Sequence, residues 1–160
     1  MVYGLVFRVL LSALLSVLTS TSHIIYVTQP GTPVGIQNFI LPEAGCNWAG
    51  VGGQVFDQTG LPESGLIIKI SGTVEGDPIL VYVVTGSSLQ FGPGGYNVYL
   101  SDHPIATQSL LYLQLLNLTG IPLSDAIPLN TFSNCAQNLL LVNLVEKSLD
   151  VLQYLPLITR

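Results

Sequence analysis

Residues 51–74 read Val-Gly-Gly-Gln-Val-Phe-Asp-Gln-Thr-Gly-Leu-Pro-Glu-Ser-Gly-Leu-Ile-Ile-Lys-Ile-Ser-Gly-Thr-Val. Two β-prone runs, 51–56 and 66–74, flank a segment built for turning. Asp57 can fold its side chain back onto the chain, Gly60 tolerates positive φ, and Pro62 sits where no ladder donor is needed. The pattern recurs 60 positions later in Leu115-Leu-Asn-Leu-Thr-Gly-Ile-Pro-Leu-Ser-Asp125, where Asn117, Gly120 and Pro122 take the same places. Every matched residue is one that turn geometry selects, so the echo reads as two corners with one steric solution rather than a duplicated binding loop.

Outward from this unit the same signals repeat. Residues 79–85, 95–101, 109–117, 126–132 and 138–146 are short apolar or alternating runs separated by Gly, Pro, Asn or Asp. Seven strands with turn signals between them predict an all-β fold, an Ig-like antiparallel β-sandwich. The 109–117 run is compatible with a helix in composition, but it is short and bounded by turns, which favours a strand.

The ends differ from this body. Met1–Arg8 carries one positive charge, Val9–Leu18 is apolar apart from two serines, and Ser20, Thr21 and Ser22 are small. This is the layout of a secretory signal over 1–22; an uncleaved membrane anchor is the alternative. Residues 23–45 hold three prolines and little periodicity, and read as an extended leader or linker, with one β-prone stretch at Ile24–Thr28. The sandwich domain is then expected over 46–147. An apolar tail over 148–160 is expected to pack on the sandwich or meet a partner subunit.

Export gives the two cysteines meaning. Cys46 and Cys135 lie 89 positions apart, and in an oxidising compartment they are expected to pair.

Charge excludes one partner class. The chain has four Lys and Arg, nine Asp and Glu and a net charge of −5. Four scattered cations cannot build a patch for a nucleic-acid backbone. Without residues 1–22, three basic side chains face nine acidic ones, a net −6.

No catalytic motif emerges. The carboxylates fall at turns and strand ends, and a glycosidase pair needs two at a set separation across a cleft. His23 and His103 have no triad partners at a readable spacing. Neither cysteine has metal-site neighbours, and no Asp-x-Asp-x-Asp run is present. Gly92-Pro-Gly-Gly95 lacks the Lys-Ser/Thr of a phosphate loop. No cofactor and no metal are therefore expected. Asn117-Leu-Thr119 is a glycosylation sequon, already accounted for by its turn. The aromatics that could stack on a sugar are Trp48, Tyr82, Tyr96, Tyr99 and Tyr112. Of these Trp48, Tyr96 and Tyr99 form the candidate ligand platform. Tyr82 and Tyr112 alternate with aliphatics, as core or edge residues do.

The stretch Gly53–Ile70, with its Asp57, Gly-x-Pro turn at 60–62 and Gly65 before the second strand, resembles the opening of carboxypeptidase regulatory-like domains. These are Ig-like, transthyretin-like sandwiches, and the resemblance implies a non-catalytic accessory or surface role. The longer stretch Cys46–Val145 is similar to exported domains of filamentous, Chloroflexi-type bacteria. Its marks are Cys-Asn-Trp-Ala-Gly-Val-Gly-Gly at 46–53, Gly-Pro-Gly-Gly-Tyr at 92–96, Pro-Leu-Ser-Asp at 122–125 and Cys-x-x-Asn at 135–138. This second resemblance implies no activity.

The functional expectation is an exported, non-catalytic module that binds or adheres at the cell surface, its partner a surface protein or a glycan. A carbohydrate-binding module and a structural subunit of an extracellular assembly are the alternatives. The subunit would self-associate by strand addition from Ile24–Thr28. Membrane contact is expected only through an uncleaved signal.

Overall fold

A computed structural model describes residues 23–149. The signal read at 1–22 and most of the tail read at 148–160 lie outside the described residues.

Ten strands form two packed sheets: β1 (His23–Thr28), β2 (Val34–Ile36), β3 (Ala49–Phe56), β4 (Ile67–Val74), β5 (Asp77–Val84), β6 (Gly95–Ser101), β7 (Thr107–Leu116), β8 (Ile127–Thr131), β9 (Leu139–Leu141) and β10 (Leu144–Leu149). One sheet runs β5-β4-β7-β8. The other centres on β3, which pairs with β6 on one side and with β9 and then β10 on the other, while β2 flanks β9 and β1 flanks β10. The all-β sandwich is therefore present, and each of the seven expected strands has a counterpart.

Strict alternation builds the core. Ile68 and Ile70, Leu111, Leu113 and Leu115, and Leu129 point inward from one sheet, and Val51, Val55, Tyr96, Val98, Leu140, Val142 and Leu144 from the other. A period of two places such residues on a single face.

The last expected strand is split, for a local reason. Gly53 of β3 passes so close to the returning chain that an added Cβ would lie 2.0 Å from the Val142 carbonyl oxygen. There the main chain bends away, and the Val142 carbonyl accepts from the buried Tyr96 hydroxyl at 2.7 Å. The Asn143 side chain fills the gap in the ladder, its Oδ1 accepting from Gln54 N–H at 2.9 Å. β9 ends before this point and β10 begins after it, both parallel to β3.

The expectation for residues 23–45 is corrected. They are not a linker outside the sandwich. β1 pairs with β10 along its whole length, from His23 opposite Leu149 to Thr28 opposite Leu144. Tyr26 is 4% exposed and belongs to the main core. Its amide also donates to the Leu123 carbonyl at 2.9 Å, so β1 latches the segment after β7 to the β3-centred sheet. Prolines at 30 and 33 stop the strand but do not prevent it, because they fall in the turn between β1 and β2. Ile36, Ile40 and Ala44 pack with Trp48, Phe91 and Leu139 in a second, smaller cluster. The sandwich thus begins at β1 and not at Cys46.

Candidate functional site

The two predicted corners are nearly identical in geometry. Asp57 Oδ1 accepts from Thr59 N–H at 2.8 Å, Thr59 Oγ1 at 2.7 Å and Leu61 N–H at 2.9 Å. Asn117 Oδ1 accepts from Thr119 N–H at 3.0 Å, Thr119 Oγ1 at 2.7 Å and Ile121 N–H at 2.9 Å. Gly60 and Gly120 both have φ of 83°, in the region where a Cβ is strained. Pro62 and Pro122 bridge back to Phe56 and Leu116. The chain nevertheless leaves these corners differently: after the first it crosses to the other sheet, and after the second it returns beside β7. The three donors, led by the Thr59 hydroxyl, hold the Asp57 carboxyl below its ordinary range.

Cys46 and Cys135 are disulfide-bonded, with Cα atoms 5.1 Å apart. Beside them the buried Asn138 donates to the carbonyls of Gly45 and Trp48, both at 2.9 Å, and accepts from Asn38 N–H at 2.8 Å. Asn38 in turn caps Ile40 and Leu41. Sequence reading marked Asn138 only as the end of Cys-x-x-Asn and overlooked Asn38 and Asn143. Asn138 and Asn143 act between segments distant along the chain, so local spacing carries no trace of them, whereas the Asn38 side chain acts within its own turn.

The candidate platform of Trp48, Tyr96 and Tyr99 is not assembled. Trp48 is 6% exposed and its ring covers Gly50, where a Cβ would come within 2.4 Å of it. Tyr96 is fully buried, and burial pushes its hydroxyl pKa up. Only Tyr99 is exposed. Phe91 covers Gly52 in the same way as Trp48 covers Gly50. Rings lying on glycines roof part of the outer face of this sheet, so they cannot also stack on a ligand.

Among the described residues no such roof covers the other sheet. On the outer face of β5, Leu80 is 61% exposed, Tyr82 55% and Val84 45%. β7 adds Leu110 and Tyr112, both exposed. Register places Leu80, Ser71, Tyr112 and Pro128 in one row across the four strands, and Tyr82, Lys69 and Gln114 in the next. Two strands and one row separate Tyr82 from Tyr112, about 12 Å on a flat ladder. Lys69 is the single charged side chain in these rows. Of the expected core or edge positions, Tyr82 takes the wet edge on β5, while Tyr112 stands on the exposed face of the inner strand β7 and not in the core, because each shares its parity with polar residues of β4 and not with the inward Ile68 and Ile70.

Two smaller polar clusters lie elsewhere on the fold. His103 Nδ1 lies 2.7 Å from Asp102 Oδ1 and 3.3 Å from Ser101 Oγ, and its Nε2 lies 3.1 Å from Glu75 Oε1. The two carboxylates, Asp102 foremost, raise the His103 pKa. With both ring nitrogens facing acids, the imidazole ties the β4–β5 turn to the β6–β7 loop. Tyr26 donates its hydroxyl to Glu63, and burial first and this carboxylate second push its pKa up. Between the sheets, a cavity of about 10 Å³ near Ala49, Leu111 and Leu140 is the size of one water. Among the described residues, no three His, Cys, Asp or Glu side chains gather as metal ligands. Among them too, no helix is long and apolar enough to cross a membrane. No protein-family model, curated protein or solved structure matches the chain.

Proposed function

We propose that the chain is an exported, non-catalytic Ig-like module that binds or adheres at the cell surface through the outer face of the β5-β4-β7-β8 sheet. One observation carries the reading: Leu80, Tyr82, Val84, Leu110 and Tyr112 are exposed together on that face, with Lys69 as the single charge in its rows. Single exposed apolar residues are ordinary, but several gathered on two strands of one sheet face mark a contact surface. The disulfide supports an oxidising destination. The resemblance to carboxypeptidase regulatory-like domains supports an accessory role.

The partner favoured is a protein with its own apolar patch. Branched aliphatics outnumber the two tyrosines, and the tyrosines stand too far apart to clasp one sugar ring. Tyr82→Ser with Tyr112→Ser tests the reading, since both side chains already face solvent. Binding of the purified protein to cell-envelope preparations is expected to fall about tenfold or more with unchanged melting. Undiminished binding by this variant would refute the role of the face. Loss of binding after glycosidase treatment of the envelope, but not after protease treatment, would shift the partner to a glycan.

A further inference from the structure

The structure points to a specific self-pairing edge: we infer that β5 joins β5 of a second copy, antiparallel about a two-fold axis at Val81, making one continuous sheet across the dimer. The inference uses the lateral edge of β5 and is independent of what binds the face.

β5 is eight residues long and, among the described strands, pairs with β4 alone. Which of its backbone groups remain free follows from register. Val74 and Asp77 face each other across the two-residue loop Glu75–Gly76, whose φ values are 52° and 92°. Such a hairpin is closed by a hydrogen-bonded pair, and bonded and non-bonded pairs then alternate. Ile79, Val81 and Val83 therefore turn their amides and carbonyls toward β4, as does Thr85, whose N–H donates to the Leu66 carbonyl at 2.8 Å. Pro78, Leu80, Tyr82 and Val84 turn theirs to the open side. Pro78, with no N–H, falls where a proline is tolerated. Among the described residues no other strand bonds to this edge.

Two positions on the edge are incomplete. Pro78 has no donor, and the Val84 carbonyl already accepts from Ser87 N–H at 3.2 Å. With Val81 on the axis, Leu80 faces Tyr82 of the second copy and Pro78 faces Val84. The missing donor then stands opposite the occupied acceptor, and every remaining edge group finds a partner. Moving the axis to Leu80 sets Tyr82 against Pro78 and leaves the Tyr82 carbonyl without a donor. Moving it to Tyr82 sets Leu80 against Val84, whose carbonyl is taken. The favoured register also places apolar side chains against each other on the outer face, and brings no charged side chain of β5 opposite its own copy. Beyond Asp77 and Pro78 at its start the edge is apolar and uncharged, and an exposed edge of that kind is a template for pairing.

The other described edges are less open. β2 has three residues, β8 has five, and β1 is latched by Leu123. On β6 the Gly95 carbonyl already accepts from Gly86 and Ser88.

The test uses single cysteine variants of the full chain under mild oxidation. Val81→Cys puts two thiols in a non-bonded pair about 4.5 Å apart at Cα, within disulfide reach. Ile79→Cys and Val83→Cys share its inward parity, but each lies about 13 Å from its own copy in this register. Covalent dimer is expected at least ten times faster from Val81→Cys than from either control. Equal rates at the three positions would overturn the register, and association through segments outside the described residues would give that result. In the unmodified protein, sedimentation equilibrium is expected to show reversible doubling of mass as concentration rises, with the weak affinity of a narrow interface. Leu80→Pro removes an outward donor and the side chain set against Tyr82 of the second copy but no bond to β4, and is expected to raise the dissociation constant at least about tenfold with melting retained. A monomer at every concentration, or association unchanged by Leu80→Pro, overturns the proposal.

Discussion

Asp57 and Asn117 hold two copies of one turn with side chains that differ in a single respect: Asp57 titrates. Its folded pKa is depressed by Thr59 and by the Leu61 and Thr59 amides. A depressed carboxyl stabilises the fold above its unfolded value of about 3.9 and loses that contribution as pH falls through the lower folded value. Amide exchange at Thr59 and Leu61 is therefore expected to accelerate through that acid window, relative to Thr119 and Ile121. Asp57→Asn is expected to abolish the difference, and equal acid sensitivity of the two turns in the unmodified protein would contradict the assignment. At this scale the sequence was legible where bonds are local. Asp57, Gly60 and Pro62 announce their turn because donor and acceptor lie within four residues. Asn138 and Asn143 announce nothing, because their partners are about a hundred positions away.

Strands were legible in proportion to their length and alternation. β4, β5 and β6 carry enough period-two signal to be placed within about two residues. β1 was seen only as a β-prone stretch, because six residues before a proline-rich segment look alike whether docked or free. What decides between them is β10, which no local pattern connects to residue 26. The docking has a large consequence for stability. Tyr26→Ala removes a core aromatic and is expected to cost about 3–5 kcal/mol, read from chemical denaturation. A fragment beginning at Cys46 loses β1 altogether and is expected to lack a cooperative melt, whereas one beginning at His23 keeps it. An equally stable Cys46 fragment would show that β1 contributes nothing. The same docking weakens the idea that Ile24–Thr28 serves a neighbour, since it must first leave its own sheet. The outward parity of Tyr82 was legible in principle from the alternation of β5. Its exposure was not, because sequence does not say which face a second layer covers.

For the molecule as a whole, the pairing of Cys46 with Cys135 encloses β3 through β8 in one covalent loop. A closure of this length stabilises by about 4–5 kcal/mol in the chain-entropy account. Cys46→Ser with Cys135→Ser is expected to lower stability by about that amount, measured by denaturant titration. A loss below about 1 kcal/mol would show that the hydrogen bonds of Asn38 and Asn138 already fix the same segments. β1 and β10 lie outside the loop that the disulfide closes. His23 faces Leu149 at one end of their ladder, so tension drawn through both flanks of the sandwich enters at a single pair. Such a load peels the two strands apart one rung at a time, the weak direction of an antiparallel ribbon. A pull entering through β1 and leaving through the β5-β4-β7-β8 sheet instead runs through the Tyr26–Leu123 latch and the buried Tyr26 ring. The fold thus yields readily when stretched between His23 and Leu149 and resists when held by its face.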